Sequence, residues 1–395
     1  MTGPSEPMGA ASNHGIRAVV DGDGHLMEDA NLWIDYIEPR YRDVAPRLVA
    51  DGDGARLMMD GRLFPIKSGP GVGRPKGLRY HSWKGRVYDH LSDDPQVRDQ
   101  RPEVRLEDMD DMGVDVALLY PSVGLHVTVG TEDVDFALAC ARAYNDWLHD
   151  FCKADPRRLV GIAMVPLQDV SHACRELDRA VAELGFRGAF IRPNPVCGRG
   201  LDDPYYDPLW REAVRLGVPV NTHEGTGTPT VPSAGIEQFD NFFFTHSVSH
   251  SMQTMLAFAQ VVAGGVMARH PGLRMAFLES GCGWLPFWLD RLDEHYEMHP
   301  EWVPWLERRP SEYFLEQGYI GVEAEEAMLP YVVERFGSDR MLFASDYPHW
   351  DASDDPVGEF FETFGESLPA ADQQNILCDT AKSLYGLDLS WCRAS

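Results

Sequence analysis

Residues 18–29 read "AVVDGDGHLMED". A short apolar run stops at Asp21, Asp23 and His25, with Gly22 and Gly24 between them. Carboxylates and an imidazole at alternate positions fit a turn, a helix cap or half of a metal site. Side chains two apart on a strand share a face, so Asp23 and His25 point the same way. What the stretch means depends on what the rest of the chain brings to it.

Working outward, short apolar runs alternate with longer amphipathic ones. After residues 16–23, the strand candidates are 114–123, 159–168, 186–194, 218–225, 274–281, 313–322 and 340–349. The early ones are near-continuous in Val, Ile, Leu, Ala and Phe, as strands buried on both faces should be. Helical patterns fall at 102–113, 132–155, 171–185, 202–217, 251–270, 325–337, 355–367 and 370–386. About eight strand–helix units predict an α/β fold, a (β/α)8 TIM-type barrel rather than an open doubly wound sheet. The boundaries are a flexible tail at 1–15 and one barrel domain at 16–390. Residues 30–100 interrupt the alternation as an insertion after the first strand, with "DG" at 60–61 as a hairpin turn. Residues 226–250 read as a long loop after the fifth strand. The glycines of 69–77 follow no strand, so they do not make a phosphate loop.

Hydrophobic residues make up 44% and charged residues 25%, enough for a normal core. The formal net charge of −27 argues against nucleic acid and against an anionic membrane surface. The 7 cysteines form no C-x-x-C pair, so neither a disulfide framework nor a zinc knuckle is expected. The sequence shows no apolar run long enough for a transmembrane helix and no secretory signal. The expected location is cytoplasmic.

In a barrel of this kind catalytic residues sit at the C-terminal ends of strands. The first strand offers Asp23 and His25, the fifth His223 and Glu224, and the eighth Asp346, His349 and Asp351. Carboxylates and imidazoles converging on one mouth suit a divalent transition ion.

"VDGDGHLMED", "VPVNTHEG", "RHPGLRMAFLESGCGWLPFWLDRLDE" and "RMLFASDYPHWD" occur in that order. Together they resemble the amidohydrolase-related metalloenzymes, the branch of aminocarboxymuconate-semialdehyde and resorcylate decarboxylases. The resemblance spans most of residues 16–385. It implies one divalent metal ion per chain, zinc first with manganese or iron as the others, held by Asp23, His25, His223 and Asp346. The branch carries a histidine at the end of the sixth strand, where this chain has Glu279. Glu279, His250 and Asp346 are therefore the expected catalytic residues, and Arg192 and His246 the expected substrate contacts. Glu279 is expected to have a raised pKa if it donates a proton. Asn194 is a weaker candidate, and Trp284 and Trp288 should pack.

The expected activity is that of a metal-dependent C–C lyase, a non-oxidative decarboxylase of a small carboxylated aromatic or enol-type compound. The alternative is a hydrolase using metal-activated water. A homodimer is favoured by the architecture and the insertion.

Overall fold

The computed structural model describes residues 15–28, 31–51, 54–64, 101–223, 234–235, 238–239, 242–349, 352–353 and 355–392. The tail at 1–14 and the glycines of 69–77 lie outside the described residues, as do Glu224 and Asp351.

Twelve strands occur among the described residues: β1 (Val20–Leu26), β2 (Arg47–Asp51), β3 (Gly54–Met59), β4 (Arg62–Leu63), β5 (Val116–Pro121), β6 (Leu159–Gly161), β7 (Ala163–Met164), β8 (Ala189–Ile191), β9 (Val220–Thr222), β10 (Met275–Phe277), β11 (Gly318–Val322) and β12 (Met341–Phe343). One sheet has the order β1-β5-β6 and another β12-β11-β10-β9-β8-β7. Every pairing within these two sheets is parallel. The fold is thus α/β with parallel sheets. Only Ile162 separates β6 from β7, and its N–H still bonds to the Leu119 carbonyl at 3.3 Å. Every residue of β1, β5, β8, β9, β10, β11 and β12 is buried. That two-sided burial is why these strands read as apolar runs.

The far edges of the two parallel sheets also touch. The Asp346 N–H bonds to the Asp23 carbonyl at 3.1 Å, and the His25 N–H to the Tyr347 carbonyl at 2.7 Å. These bonds join the end of β1 to the segment that follows β12.

Between β1 and the helix Pro102–Met112 lies an antiparallel sheet, β2-β3-β4. Its β3–β4 turn is the expected Asp60–Gly61 pair, with φ of 53° and 68°. Positive φ at both central residues is what a tight hairpin turn of this twist requires.

Two segments differ from expectation. Residues 313–317 are helical, in Pro310–Gln317, and β11 begins only at Gly318. Pro310 opens that helix, and Tyr313, Phe314 and Gln317 form its buried face. Residues 242–250 belong to the helix Phe242–Phe258 instead of a loop. Packing explains it: Ser249 and Thr254 are buried, and Gln253 Nε2 donates to the Pro193 carbonyl at 3.2 Å.

The stretch His246–Arg269 also departs from the expectation of no membrane-length apolar helix, with a mean hydropathy of 1.3. Half of it is buried inside the protein, and Phe258, Val261 and Val262 are fully covered. A core helix has the same composition as a spanning one.

Candidate metal centre

Asp23 and His25 stand at the end of β1, His223 directly after β9, Glu279 just after β10 and Asp346 just after β12. The register of β1 on β5 shifts between Asp21 and Gly24. Such a bulge re-aims side chains at a strand end. Here Asp21 accepts from the N–H and Oγ of Ser345, at 3.0 and 2.6 Å, while Asp23 and His25 face His223. Gly24 is dictated by space: a Cβ there would lie 2.7 Å from both an Arg105 amino group and Asp21 Oδ2. Arg105 donates to the carbonyls of His25 at 2.9 Å and Tyr347 at 3.2 Å, tying β1 to the loop after β12.

The expected ligands fall into two neighbouring groups that share His25, one with Asp23 and His223 and the other with Asp346, Glu279 and His349. Asp23 Oδ1 lies 2.5 Å from His223 Nε2 and 3.4 Å from His25 Nε2. His25 Nε2 lies 3.5 Å from Asp346 Oδ1. Ligand atoms about 2.1 Å from a tetrahedral ion are roughly 3.4 Å apart, so His25 already stands at that spacing from both carboxylates. His25 Nδ1 donates to the Pro121 carbonyl at 2.8 Å, which leaves Nε2 with a bare lone pair. Asp23 Oδ2, His25 Nε2, His223 Nδ1 and Glu279 Oε2 are buried without an aligned hydrogen bond. Buried polar atoms of this kind call for a partner: His223 Nδ1 and Glu279 Oε2 face each other, whereas Asp23 Oδ2 and His25 Nε2 suit a divalent cation.

Glu279 backs His223, with Oε2 at 2.8 Å from Nδ1. Its other oxygen lies 3.5 Å from His349 Nδ1 and 3.9 Å from His250 Nε2. This corrects the expectation of a raised pKa. Burial favours the neutral acid, but the His250, His223 and His349 imidazoles outweigh it and hold the carboxyl well below its usual range. The three imidazoles thus favour the ionised form of Glu279. Both Glu279, at φ 49°, and Asp346, at φ 54°, adopt left-handed backbone conformations. Strain of this type gathers at functional sites.

His349, offered by the sequence at the eighth strand end, also lies within the centre. Its Nδ1 is 2.7 Å from Asp346 Oδ1, its Nε2 is 2.9 Å from Ser122 Oγ, and its ring centroid lies 4.0 Å from that of His25, tilted by 32°. Ser122 and Glu28 have no signal in the sequence beyond being polar residues near strand ends, and Arg105 none beyond its place in a helical pattern. His246 and His250 pack ring to ring at 4.6 Å and border a cavity of about 360 Å³ that Glu279 and Asp346 also line. Arg192 does not line that cavity. It is buried, donating to the Leu125 carbonyl at 2.7 Å and Asn194 Oδ1 at 3.3 Å. Trp284 and Trp288 pack as expected, donating to the carbonyls of Ser280 and Met255.

Residues 20–387 match the family described as Amidohydrolase. The chain belongs to the amidohydrolase family. This amidohydrolase is 26% identical over 288 residues to the 2-amino-3-carboxymuconate-6-semialdehyde decarboxylase of Dictyostelium discoideum, covering 73% of this chain and 77% of that one. It is 28% identical over 300 residues to the gamma-resorcylate decarboxylase of Rhodococcus jostii, covering 72% and 88%. Its fold is shared, at a TM-score of 0.69 and 22% identity, by the 5-carboxyvanillate decarboxylase of Novosphingobium aromaticivorans, solved with bound manganese. That match covers 96% of this chain and 100% of the other. The amidohydrolase is a metal-dependent enzyme, and His, Asp and Glu side chains stand at ligand spacing in its centre.

The electrostatics of the metal-free centre lead to a pH test. Burial disfavours the charged His223 imidazole, but Asp23 and Glu279 on either side outweigh it and raise its pKa to about 10. The stability this proton confers is fully present below about pH 6.5 and is lost as pH rises through about 10. A cation replaces that proton. Metal-free protein is therefore expected to lose Tm across this window more steeply than metal-loaded protein. Metal uptake at pH 8 in weak buffer should release a proton. Parallel Tm profiles and no proton release would rule this out.

Proposed function

We propose that this amidohydrolase is a metal-dependent carboxy-lyase that removes CO2 without oxidation from a small carboxylated aromatic or enol-type compound. The observation that carries it is a pair of ligand groups that share His25, one with Asp23 and His223 and the other with Asp346, beside an open cavity. The parallel strands close into one (β/α)8 barrel, supported by the bonds between the end of β1 and the segment after β12. In this reading residues 16–390 form one domain with 30–100 as its insertion, the protein works in the cytoplasm as a homodimer, and zinc is the resident metal.

When bound, the divalent ion supplies Lewis-acid charge and a template for the substrate carboxylate and a neighbouring oxygen. Pro121 and Glu279 hold the ligand imidazoles with Nε2 facing inward. His250, at the cavity wall beside Glu279, delivers a proton to the substrate carbon that bears the carboxylate. The C–C bond then breaks, its electron pair returns to the ring, and CO2 leaves. Glu279 balances the charge on His250 before transfer, and His246 holds the His250 ring against the cavity. Asp346 keeps His349 oriented.

The cavity wall restricts the substrate. Glu279, Glu323, Glu325 and Asp346 line it, and no Lys or Arg does so among the described residues. One carboxylate is met by the ion, while a second faces like charge. Ring hydroxyls suit this acceptor-rich wall. Monocarboxylated phenols are expected to bind at least about 10-fold tighter than ring analogues with a second carboxylate, the size of one unfavourable charge contact. Competition binding to metal-loaded protein measures this, and equal affinity would discard the restriction. For the reaction itself, released CO2 from such phenols supports the carboxy-lyase. Incorporation of labelled water oxygen without CO2 would make the protein a hydrolase instead.

A further inference from the structure

We propose that Glu28 is a positioning residue that sets the orientation of two adjacent imidazoles, His25 and His349, at the metal centre. The inference rests on the metal-centre reading and concerns a residue that makes no contact with the ion.

Glu28 lies just past β1 and is 5% exposed. Its carboxylate straddles the start of the short helix Val123–Val127. Oε1 accepts from the N–H groups of Ser122 at 3.1 Å and Gly124 at 2.7 Å. Oε2 accepts from Ser122 at 3.2 Å and Val123 at 2.8 Å. The first N–H groups of a helix have no partner within it. A serine at this position usually supplies one with its own hydroxyl. Here Ser122 makes no such cap, because Glu28 has taken the role. The Ser122 hydroxyl is thereby available to His349 Nε2, at 2.9 Å. The preceding residue, Pro121, presents its carbonyl to His25 Nδ1 at 2.8 Å.

Two neighbouring residues thus hold two imidazoles whose rings lie 4.0 Å apart, and one carboxylate pins the backbone that carries both holds. The clamp leaves no slack. A Cβ on Gly124 would lie 2.5 Å from Met164 Cε, 2.6 Å from Pro121 Cβ and 3.0 Å from Glu28 Oε1. Glutamine in place of Glu28 keeps the shape but turns an amino group toward N–H groups. The turn must then shift, and both imidazoles shift with it.

The test titrates cobalt(II) into metal-free wild type, Glu28→Gln, Ser122→Ala and the double variant, and follows visible absorption. Loss of a partner behind the ligands costs about 10- to 100-fold in metal affinity. Glu28→Gln is expected to bind cobalt about 10-fold or more weakly and with a changed absorption band. Because Glu28 acts partly through Ser122, the double variant should be weaker than Glu28→Gln by less than the Ser122→Ala effect alone. Unchanged affinity and band in Glu28→Gln, or effects that simply multiply, would overturn the role of Glu28 while leaving the metal centre intact. A wild type that binds no cobalt would overturn both. Should Glu28→Gln fail to fold, Ser122→Ala decides: a changed band supports the clamp and an unchanged one overturns it.

Discussion

His223→Ala is expected to give protein that holds no divalent metal and turns substrate over at least about 10³-fold more slowly. A metal acting as Lewis acid contributes several kcal/mol to the transition state, and about 4 kcal/mol corresponds to 10³ in rate. His223 is the ligand with the fewest substitutes. Its imidazole is fully buried between Asp23 and Glu279, at 2.5 and 2.8 Å. Removing it leaves two covered carboxylates facing each other without a cation. An uncompensated buried charge costs about 3–5 kcal/mol, so the variant should also melt earlier when metal-free. Metal content, Tm and turnover are to be measured on one preparation. A variant that keeps stoichiometric metal would show that the remaining ligands suffice, and one that keeps activity without metal would end the metal-dependent reading.

Glu279→Gln is expected to retain metal, though bound about 10- to 100-fold more weakly. With metal in excess its turnover should still fall roughly 10²-fold, the usual size of a lost contribution to proton transfer. The cause differs from the one the sequence suggested. Glu279 is ionised among three imidazoles, and His250 is the one that borders the cavity beside it. Glutamine keeps the shape without the charge that steadies a cationic His250. Turnover restored fully by added metal would reduce Glu279 to an anchor of His223. Unchanged turnover without added metal would leave His250 working unaided.

The parts of the centre legible in the sequence are those fixed by strand ends. Asp23 and His25 follow from a two-residue repeat, and His223 and Asp346 from position after an apolar run. The parallel strands were legible because two-sided burial demands continuous apolar residues. Asp60–Gly61 was legible because few residues accept positive φ. What stayed hidden depends on chain segments meeting in space. His349 reaches the centre because the chain turns back after Asp346, with the His349 N–H bonded to the Asp346 carbonyl at 2.9 Å. Ser122 matters only because Glu28 caps its helix. The helix from Phe242 carries serines and aromatics that read as loop, and tertiary packing overrides that local preference. The Glu279 pKa was misjudged because its neighbours, three histidines from separate segments, cannot be counted from the sequence.

The left-handed backbone at Glu279 bears on how such an enzyme changes chemistry over time. A non-glycine residue in that conformation costs of order 1–3 kcal/mol, and histidine, asparagine and aspartate tolerate it better than most. Exchange of Glu279 for histidine thus meets no added conformational barrier at its own backbone. An acid and an imidazole, two different proton-handling groups, are interchangeable at that turn without first redesigning the strand that carries it. Position 279 is accordingly where a directed-evolution library should begin, since the backbone there admits both kinds of group.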